Sequence, residues 1–192
     1  MDAGGMSSRR LHVACQIRGD IRTSKNGESP LDSLLVDAIV IGCGATLVMD
    51  LVAVLLNRIF GLRSLDYGLV GRWGYSLLEG KFFHHPIFAT PPVRHEMLIG
   101  WALHYLIGIA FAFLFLAAMG TGWRVSPSLF PALVFGAFTV AAPFFILQPA
   151  FGAGVAASQA PKPGLARAKS LLAHLSFGFG IWVSAALWSL HV

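Results

Sequence analysis

The chain has 192 residues, of which 56% are hydrophobic and 12% are charged, whereas an ordinary soluble domain is roughly a quarter charged. A soluble domain of this length could not bury so much apolar surface, so the composition excludes that class and indicates an integral membrane protein with the lipid bilayer as its first partner. The formal charge of +5 does not indicate a nucleic-acid partner, because the basic residues lie almost wholly between apolar segments, where they act as topology signals.

Four apolar runs follow a polar beginning. Residues 1–30 lack the apolar core of a signal peptide, and we expect them to form a disordered extension. Residues 31–192 are expected to form the transmembrane domain, with helices at about 34–56, 97–119, 129–147 and 171–190. Each run approaches the ~20 residues that cross a bilayer and is too long for a strand. The pattern predicts an all-α, integral membrane four-helix bundle with a long interfacial loop between helices 1 and 2.

The loops between these runs differ in character. Loop 1 (57–96) is long, basic and aromatic, and we expect a short interfacial helix to start near Ser64. Loop 2 (120–128) is short and predicts a helical hairpin, whereas loop 3 (148–169) is rich in Gly, Ala and Pro, and the fourth helix should begin near Ser170. Most basic residues near the spans lie in loops 1 and 3, so the positive-inside rule places these loops in the cytoplasm.

Several polar residues fall inside the apolar runs. Asp50 lies about two turns from the end of the first run, and Glu96, Gly100 and His104 recur every four residues on one face of the second. Ionisable groups within a membrane are costly and often mark ion pathways or proton relays. The alternative is that these side chains only hydrogen-bond neighbouring helices.

The third and fourth runs add further candidates. Pro143 should disturb its helix because it cannot bond the carbonyl of Thr139, and Gln148 and His174 lie near loop 3. All these candidates fall in the half of the membrane next to loops 1 and 3, and we expect no ionisable residue at depth in the opposite half. The sequence therefore predicts a one-sided polar pocket under loops 1 and 3 rather than a pore. The adjacent His84 and His85 in loop 1 are expected to be solvated.

Long motifs in the chain resemble a known family. They are IGCGATLVMDL, SLDYGLVGRW, PPVRHEMLIGWALHYLIGIAF, TVAAPFFILQPAFGAGVAASQAPKP and ARAKSLLAHLSFGFG. In these, the chain is similar to a bacterial inner-membrane family known as domain of unknown function 2938. The resemblance implies a multi-pass protein of the inner membrane without an established activity. The family pattern includes the positions of Asp50, Arg72, Trp73, Glu96, His104, Tyr105, Gln148 and His174, which adds Arg72 and Tyr105 to the pocket candidates.

Four functions remain open from the sequence. The first is binding or transport of a small solute or ion, with Asp50 and His104 exchanging a proton and a homodimer as the expected assembly. The second is a structural or assembly subunit of a membrane complex. The third is a haem or metal protein with His104 and His174 as ligands, although no cofactor is identified. The fourth is a lipid enzyme with Glu96 or His104 as base, and an enzyme is the less expected outcome because no P-loop or GxSxG motif occurs.

Overall fold

The apolar runs form long helices in a computed structural model, which describes residues 29–190. Helix α1 covers Pro30–Phe60 and α3 covers Glu96–Val125, the third span covers Leu129–Ala150, and α5 covers Pro163–Trp188. All four are long and apolar enough to cross a membrane, and no strand occurs within the described range. The prediction of an all-α membrane fold is therefore confirmed. The extension predicted for residues 1–30 lies almost entirely outside the described residues.

Loop 1 contains a helix of its own, α2, over Tyr67–Leu78. Its N-cap is Asp66, whose Oδ1 accepts a hydrogen bond from the amide of Gly68 at 2.8 Å. A cap of this kind satisfies one of the free amides of the first turn, which explains why the helix begins at this point. The helix predicted to start near Ser64 is therefore present and begins a few residues later.

Two helix boundaries differ from the apolar pattern. Helix α5 begins at Pro163 rather than near Ser170, because proline is well suited to the first helical position, where its missing amide costs nothing. In α3, Gly120 adopts φ 72°, a left-handed conformation that glycine tolerates. This break ends the regular part of α3 just before the tight connection to the third span.

The third span changes its helical form at Pro143. An α-helix, α4, covers Leu129–Thr139, a π-helical turn covers Pro143–Leu147, and a last helical turn covers Gln148–Ala150. Proline removes one amide donor from the helical ladder, and in membrane helices a local π-helical adjustment can satisfy the backbone groups that this leaves free. The irregularity predicted from Pro143 is thus present.

Small residues allow the spanning helices to approach closely, as is usual in membranes. An added Cβ atom would lie less than 3 Å from the facing backbone at Gly42 against Ile109 (α1–α3), Gly180 against Ala45 (α1–α5) and Gly136 against Gly178 (α4–α5). Aromatic packing joins α3 to α4, where the rings of Phe115 and Phe135 lie 5.1 Å apart. These contacts fix which faces of the helices meet and hence where the polar side chains point.

Candidate functional site

Helices α1 and α3 bring Asp50 and His104 together. The Nε2 atom of His104 lies 3.0 Å from Oδ1 of Asp50, and the side chains are only 14% and 13% exposed. Asp50 precedes the end of α1 at Phe60 by about ten residues, or ~15 Å along the helix axis. The pair therefore lies well inside the span, in the half that adjoins loops 1 and 3.

A third side chain, Tyr67, reaches this pair from the first turn of α2. Its hydroxyl lies 3.1 Å from Oδ1 of Asp50 and 3.1 Å from Nε2 of His104. Burial, followed by the negative charge of Asp50, raises the pKa of Tyr67 above its ordinary value of 10.0. The phenol therefore stays protonated at physiological pH and remains a hydrogen-bond donor.

The three polar atoms form a triangle with edges of 3.0 to 3.1 Å. The hydroxyl of Tyr67 can donate only one hydrogen. If neither Asp50 nor His104 carried a proton on the atom that faces the other, two acceptors would lie 3.0 Å apart without a hydrogen between them. One proton must therefore lie between Asp50 and His104, either as an imidazole N–H that donates to the carboxylate or as a carboxylic acid that donates to the imidazole.

Aromatic rings surround the triangle. Tyr105 donates its hydroxyl to Oδ2 of Asp50 at 3.3 Å. The ring of Trp101 lies 4.3 Å from that of Tyr67, 5.9 Å from that of His104 and 6.2 Å from that of Tyr105, measured between centroids. We name Asp50, Tyr67, Trp101, His104 and Tyr105 together the Asp50 cluster.

An ion pair anchors α2 beside this cluster. Arg72 donates from Nε and Nη2 to the two carboxylate oxygens of Glu96, each at 2.9 Å, and from Nη1 to the carbonyl of Thr90 at 2.6 Å. The hydrogen bonds to Glu96 raise the pKa of Arg72 above its ordinary value, so the guanidinium stays charged. Gly71 and Gly100 let the backbones of α2 and α3 touch at the same level, because a Cβ on either would overlap the opposite backbone.

The remaining predicted residues form separate pairs. Thr139 Oγ1 lies 2.8 Å from Nδ1 of His174, and Gln148 donates to the hydroxyl of Ser170 at 3.1 Å. The structure thus brings Asp50, His104 and Tyr105 into one cluster and Arg72 and Glu96 into a neighbouring ion pair. Thr139 and His174 bond each other, and Gln148 bonds Ser170. A single pocket lined by all eight predicted residues therefore stays a prediction.

Two expectations about the polar residues were wrong. Asp37 near the start of α1 pairs with Arg124 at the end of α3, and it also accepts a hydrogen bond from the indole of Trp188 at 2.7 Å. The opposite half of the membrane therefore does contain an ionisable pair. His84 was expected to be solvated, but it is only 7% exposed, and neither ring nitrogen has a hydrogen-bond partner among residues 29–190.

The burial of His84 results from docking of loop 1 on the segment after the third span. The amide of His84 donates to the carbonyl of Ala150 at 2.8 Å, and that of Ile87 donates to the carbonyl of Phe151 at 3.1 Å. Gly152, with φ 80°, lies against the backbone of His84. A two-residue HH pattern carries no sign of this packing, because the partners lie far along the chain.

The described residues give limited support to a metal or haem centre. Within residues 29–190, no group of three or more His, Cys, Asp or Glu side chains is placed to hold a metal ion. The two histidines considered as ligands are engaged differently, since His104 bonds Asp50 and His174 bonds Thr139. If Nε2 of His104 and Nδ1 of His174 were to hold a haem or a metal ion, their hydrogen bonds to Asp50 and Thr139 would have to break.

Comparison with known proteins identifies one relationship. The model of a family described as Protein of unknown function (DUF2938) matches residues 39–188, which includes every residue of the Asp50 cluster. No curated protein and no solved structure matches the chain. The comparison therefore supplies a family without an activity.

Proposed function

The chain belongs to the DUF2938 family of proteins of unknown function, and we propose that it binds and releases a proton at Asp50 and His104 and couples that proton to the binding or transport of a small polar solute or ion. The observation that carries this proposal is the triangle of Asp50, Tyr67 and His104, with edges of 3.0 to 3.1 Å inside the span. Imidazole is the side chain that ordinarily titrates nearest neutral pH. Intramembrane carboxylate and imidazole groups that share a proton are typical of proton relays in transporters.

The position of the cluster favours access from the side of loops 1 and 3. Tyr67 lies at the start of α2, so this short helix covers the cluster on that side, and Arg72 and Glu96 hold α2 against α3. At the opposite end, Arg124 and Trp188 each donate a hydrogen bond to the carboxylate of Asp37. A solute would therefore enter beside α2. We further propose a location in the bacterial inner membrane with loops 1 and 3 in the cytoplasm, and a homodimer, since four helices leave little room for a transport path.

A structural or assembly subunit is the second candidate. It is favoured by the way most candidate residues are paired across helices, as in Arg72 with Glu96 and His174 with Thr139. Such pairs hold helices together without any exchange of protons. The two candidates differ in whether Asp50 and His104 change protonation state under conditions in which the protein stays folded.

Infrared difference spectroscopy of the protein in lipid bilayers tests the proposal. We expect the carboxyl bands of Asp50 to change with pH between about pH 5 and pH 8, the range in which imidazole ordinarily titrates, because the proton is taken up either by the carboxylate itself or by the imidazole bonded to it. Asp50→Asn should remove this change. Asp37→Asn is the matched control, because Asp37 is also a membrane aspartate but is paired with Arg124, and it should keep the change. Wild-type spectra in which no carboxyl band changes in this range would overturn the proposal in favour of the structural subunit.

A further inference from the structure

The negative charge of Asp50 has different partners from the charges of two other acidic residues in the spans. Its hydrogen-bond donors within residues 29–190 are the hydroxyls of Tyr67 and Tyr105 and the imidazole of His104. Glu96 and Asp37 instead pair with arginines, Arg72 and Arg124 respectively. Among these donors only His104 can carry a positive charge. When a protonated His104 beside the Asp50 carboxylate releases one proton, a net negative charge remains inside the membrane, which a ligand cation can balance.

The aromatic rings of the Asp50 cluster, like its carboxylate, favour binding of a cation. Trp101 and Tyr67 lie with ring centroids 4.3 Å apart, and Tyr105 lies 6.2 Å from Trp101. The face of an aromatic ring attracts a positive charge within about 6 Å, and tryptophan does so best. A carboxylate beside several aromatic faces is the arrangement that recognises quaternary ammonium groups and similar cations. An anion would be repelled by the same groups.

The surface around Trp101 indicates that the ligand is lipophilic. Trp101 is 37% exposed, and its neighbours one turn earlier on α3, Met97 and Leu98, are 52% and 70% exposed. These are apolar side chains on a membrane-spanning helix, so the exposed part of Trp101 borders on apolar surface. A sugar would find few free hydrogen-bonding groups there, because both oxygens of Asp50 already accept hydrogen bonds.

We propose that the ligand is a lipophilic organic cation of the quaternary ammonium or phosphonium class, which binds at the Asp50 cluster, beside Asp50 and Trp101, in exchange for one proton. The inference rests on the proton exchange proposed above and names its ligand. Before binding, the negative charge of the Asp50 carboxylate and the positive charge of a His104 imidazolium sum to zero. When the cation binds, one N–H proton passes from the imidazolium to water and leaves a neutral imidazole, so the charge of the cation replaces that of the proton and no covalent bond other than N–H is broken.

Binding of tetraphenylphosphonium to the protein in lipid nanodiscs tests the ligand class. Equilibrium dialysis at pH 6, 7 and 8, with empty nanodiscs subtracted, should show binding that tightens as the pH rises. The limit for one proton exchanged per cation is about tenfold in Kd per pH unit. Tetraphenylborate, an anion of the same shape, is the ligand control and should not bind above the level of empty nanodiscs.

Three variants separate the possible outcomes. Asp50→Asn should abolish binding of tetraphenylphosphonium, and Trp101→Leu should weaken it about tenfold, in line with loss of one strong cation–π contact. Asp37→Asn should bind like the wild type, and circular dichroism and size-exclusion chromatography check that each variant is folded. Trp101→Leu leaves the bonds of Asp50 in place, so it remains informative if Asp50→Asn does not fold.

The results that overturn the inference are specific. Absence of binding by the wild type, equal binding of tetraphenylborate, or unchanged binding by folded Trp101→Leu would each reject an organic cation at this site. If the infrared band assigned to Asp50 still responds to pH in that case, the proton-exchange proposal stands and only the ligand class fails. If the infrared band of Asp50 does not respond to pH either, both proposals fail together.

Discussion

Replacing Arg72 by Met removes three hydrogen bonds of α2, two to Glu96 of α3 and one to the carbonyl of Thr90 in loop 1. The guanidinium bonds both carboxylate oxygens of Glu96 at 2.9 Å and the carbonyl of Thr90 at 2.6 Å. The side chains of Arg72 and Glu96 are only 9% and 22% exposed, so water replaces little of what is lost. Removing one partner of a buried ion pair costs about 3–5 kcal/mol. Glu96 keeps some solvent and the amide of Val93 at 3.1 Å, so we expect the lower end, about 3 kcal/mol.

The free energy of unfolding of Arg72→Met can be measured by titration with sodium dodecyl sulfate in mixed micelles, followed by circular dichroism. The double variant Arg72→Met/Glu96→Gln removes the unpaired charge and should recover about 1–2 kcal/mol of the loss. Arg63→Met is the control, because Arg63 is exposed in the loop before α2, and it should lie within about 0.5 kcal/mol of the wild type. If Arg72→Met is as stable as Arg63→Met, the ion pair does not anchor α2 and the reasoning is refuted.

Three further predictions concern packing and hydrogen bonds. Gly71→Ala should destabilise the protein by about 1–3 kcal/mol through overpacking, because its Cβ would overlap the backbone of Glu96. Gly122→Ala should be neutral or slightly stabilising, because no atom of residues 29–190 lies within 4 Å of the added Cβ. Equal losses of stability in thermal unfolding of the two variants would contradict the contact at Gly71. The raised pKa of Tyr67 in the folded state means that its contribution to stability is complete below about pH 10 and is lost as the pH rises through the folded value. The thermal unfolding temperature should therefore fall less between about pH 9 and pH 11 in Tyr67→Phe than in the wild type. Parallel plots of unfolding temperature against pH for the two proteins would argue against the buried phenol. Thr139→Val should lower the free energy of unfolding by about 1 kcal/mol, because Nδ1 of His174 loses its partner at 2.8 Å; an unchanged value in the detergent titration would show that this bond adds nothing.

The spans and α2 could be predicted because their signals are local. An apolar run of about twenty residues must be helical in lipid, since every backbone group has to be bonded within the segment. The start of α2 depends on Asp66, which caps the helix through the amide of Gly68. The start of α5 was predicted too late for the opposite reason. Residues 163–170 mix small residues with Arg167 and Lys169, so hydropathy alone cannot separate a helix from a loop there.

Which residues form the Asp50 cluster depends on contacts between helices, and these contacts cannot be seen in the sequence. Asp50 and His104 were predicted to lie in the same half of the membrane, which follows from helix direction and helix rise. Tyr67 was missed, because its place beside them requires α2 to dock on α3 at Gly71 and Gly100, and nothing local sets the direction of a short loop helix.

Asp37 was missed for a different reason. It lies inside the first apolar run, but its partner Arg124 belongs to the end of α3, and only the antiparallel arrangement of the helices brings the two together. The resulting pair means that polarity alone does not distinguish the two halves of the membrane. What distinguishes Asp50 is that its partners are titratable or neutral, a property that requires the three-dimensional contacts.

The most direct test of the account is the protonation state of His104 in bilayers, followed by nitrogen-15 NMR of the histidine-labelled protein. If Asp50 and His104 exchange a proton, the ring nitrogen signals of His104 should change between about pH 5 and pH 8 in the wild type. The same titration in Asp50→Asn should follow a different course, and that in Asp37→Asn should match the wild type. Signals that stay in one protonation state throughout this range in the folded wild-type protein would contradict the central claim.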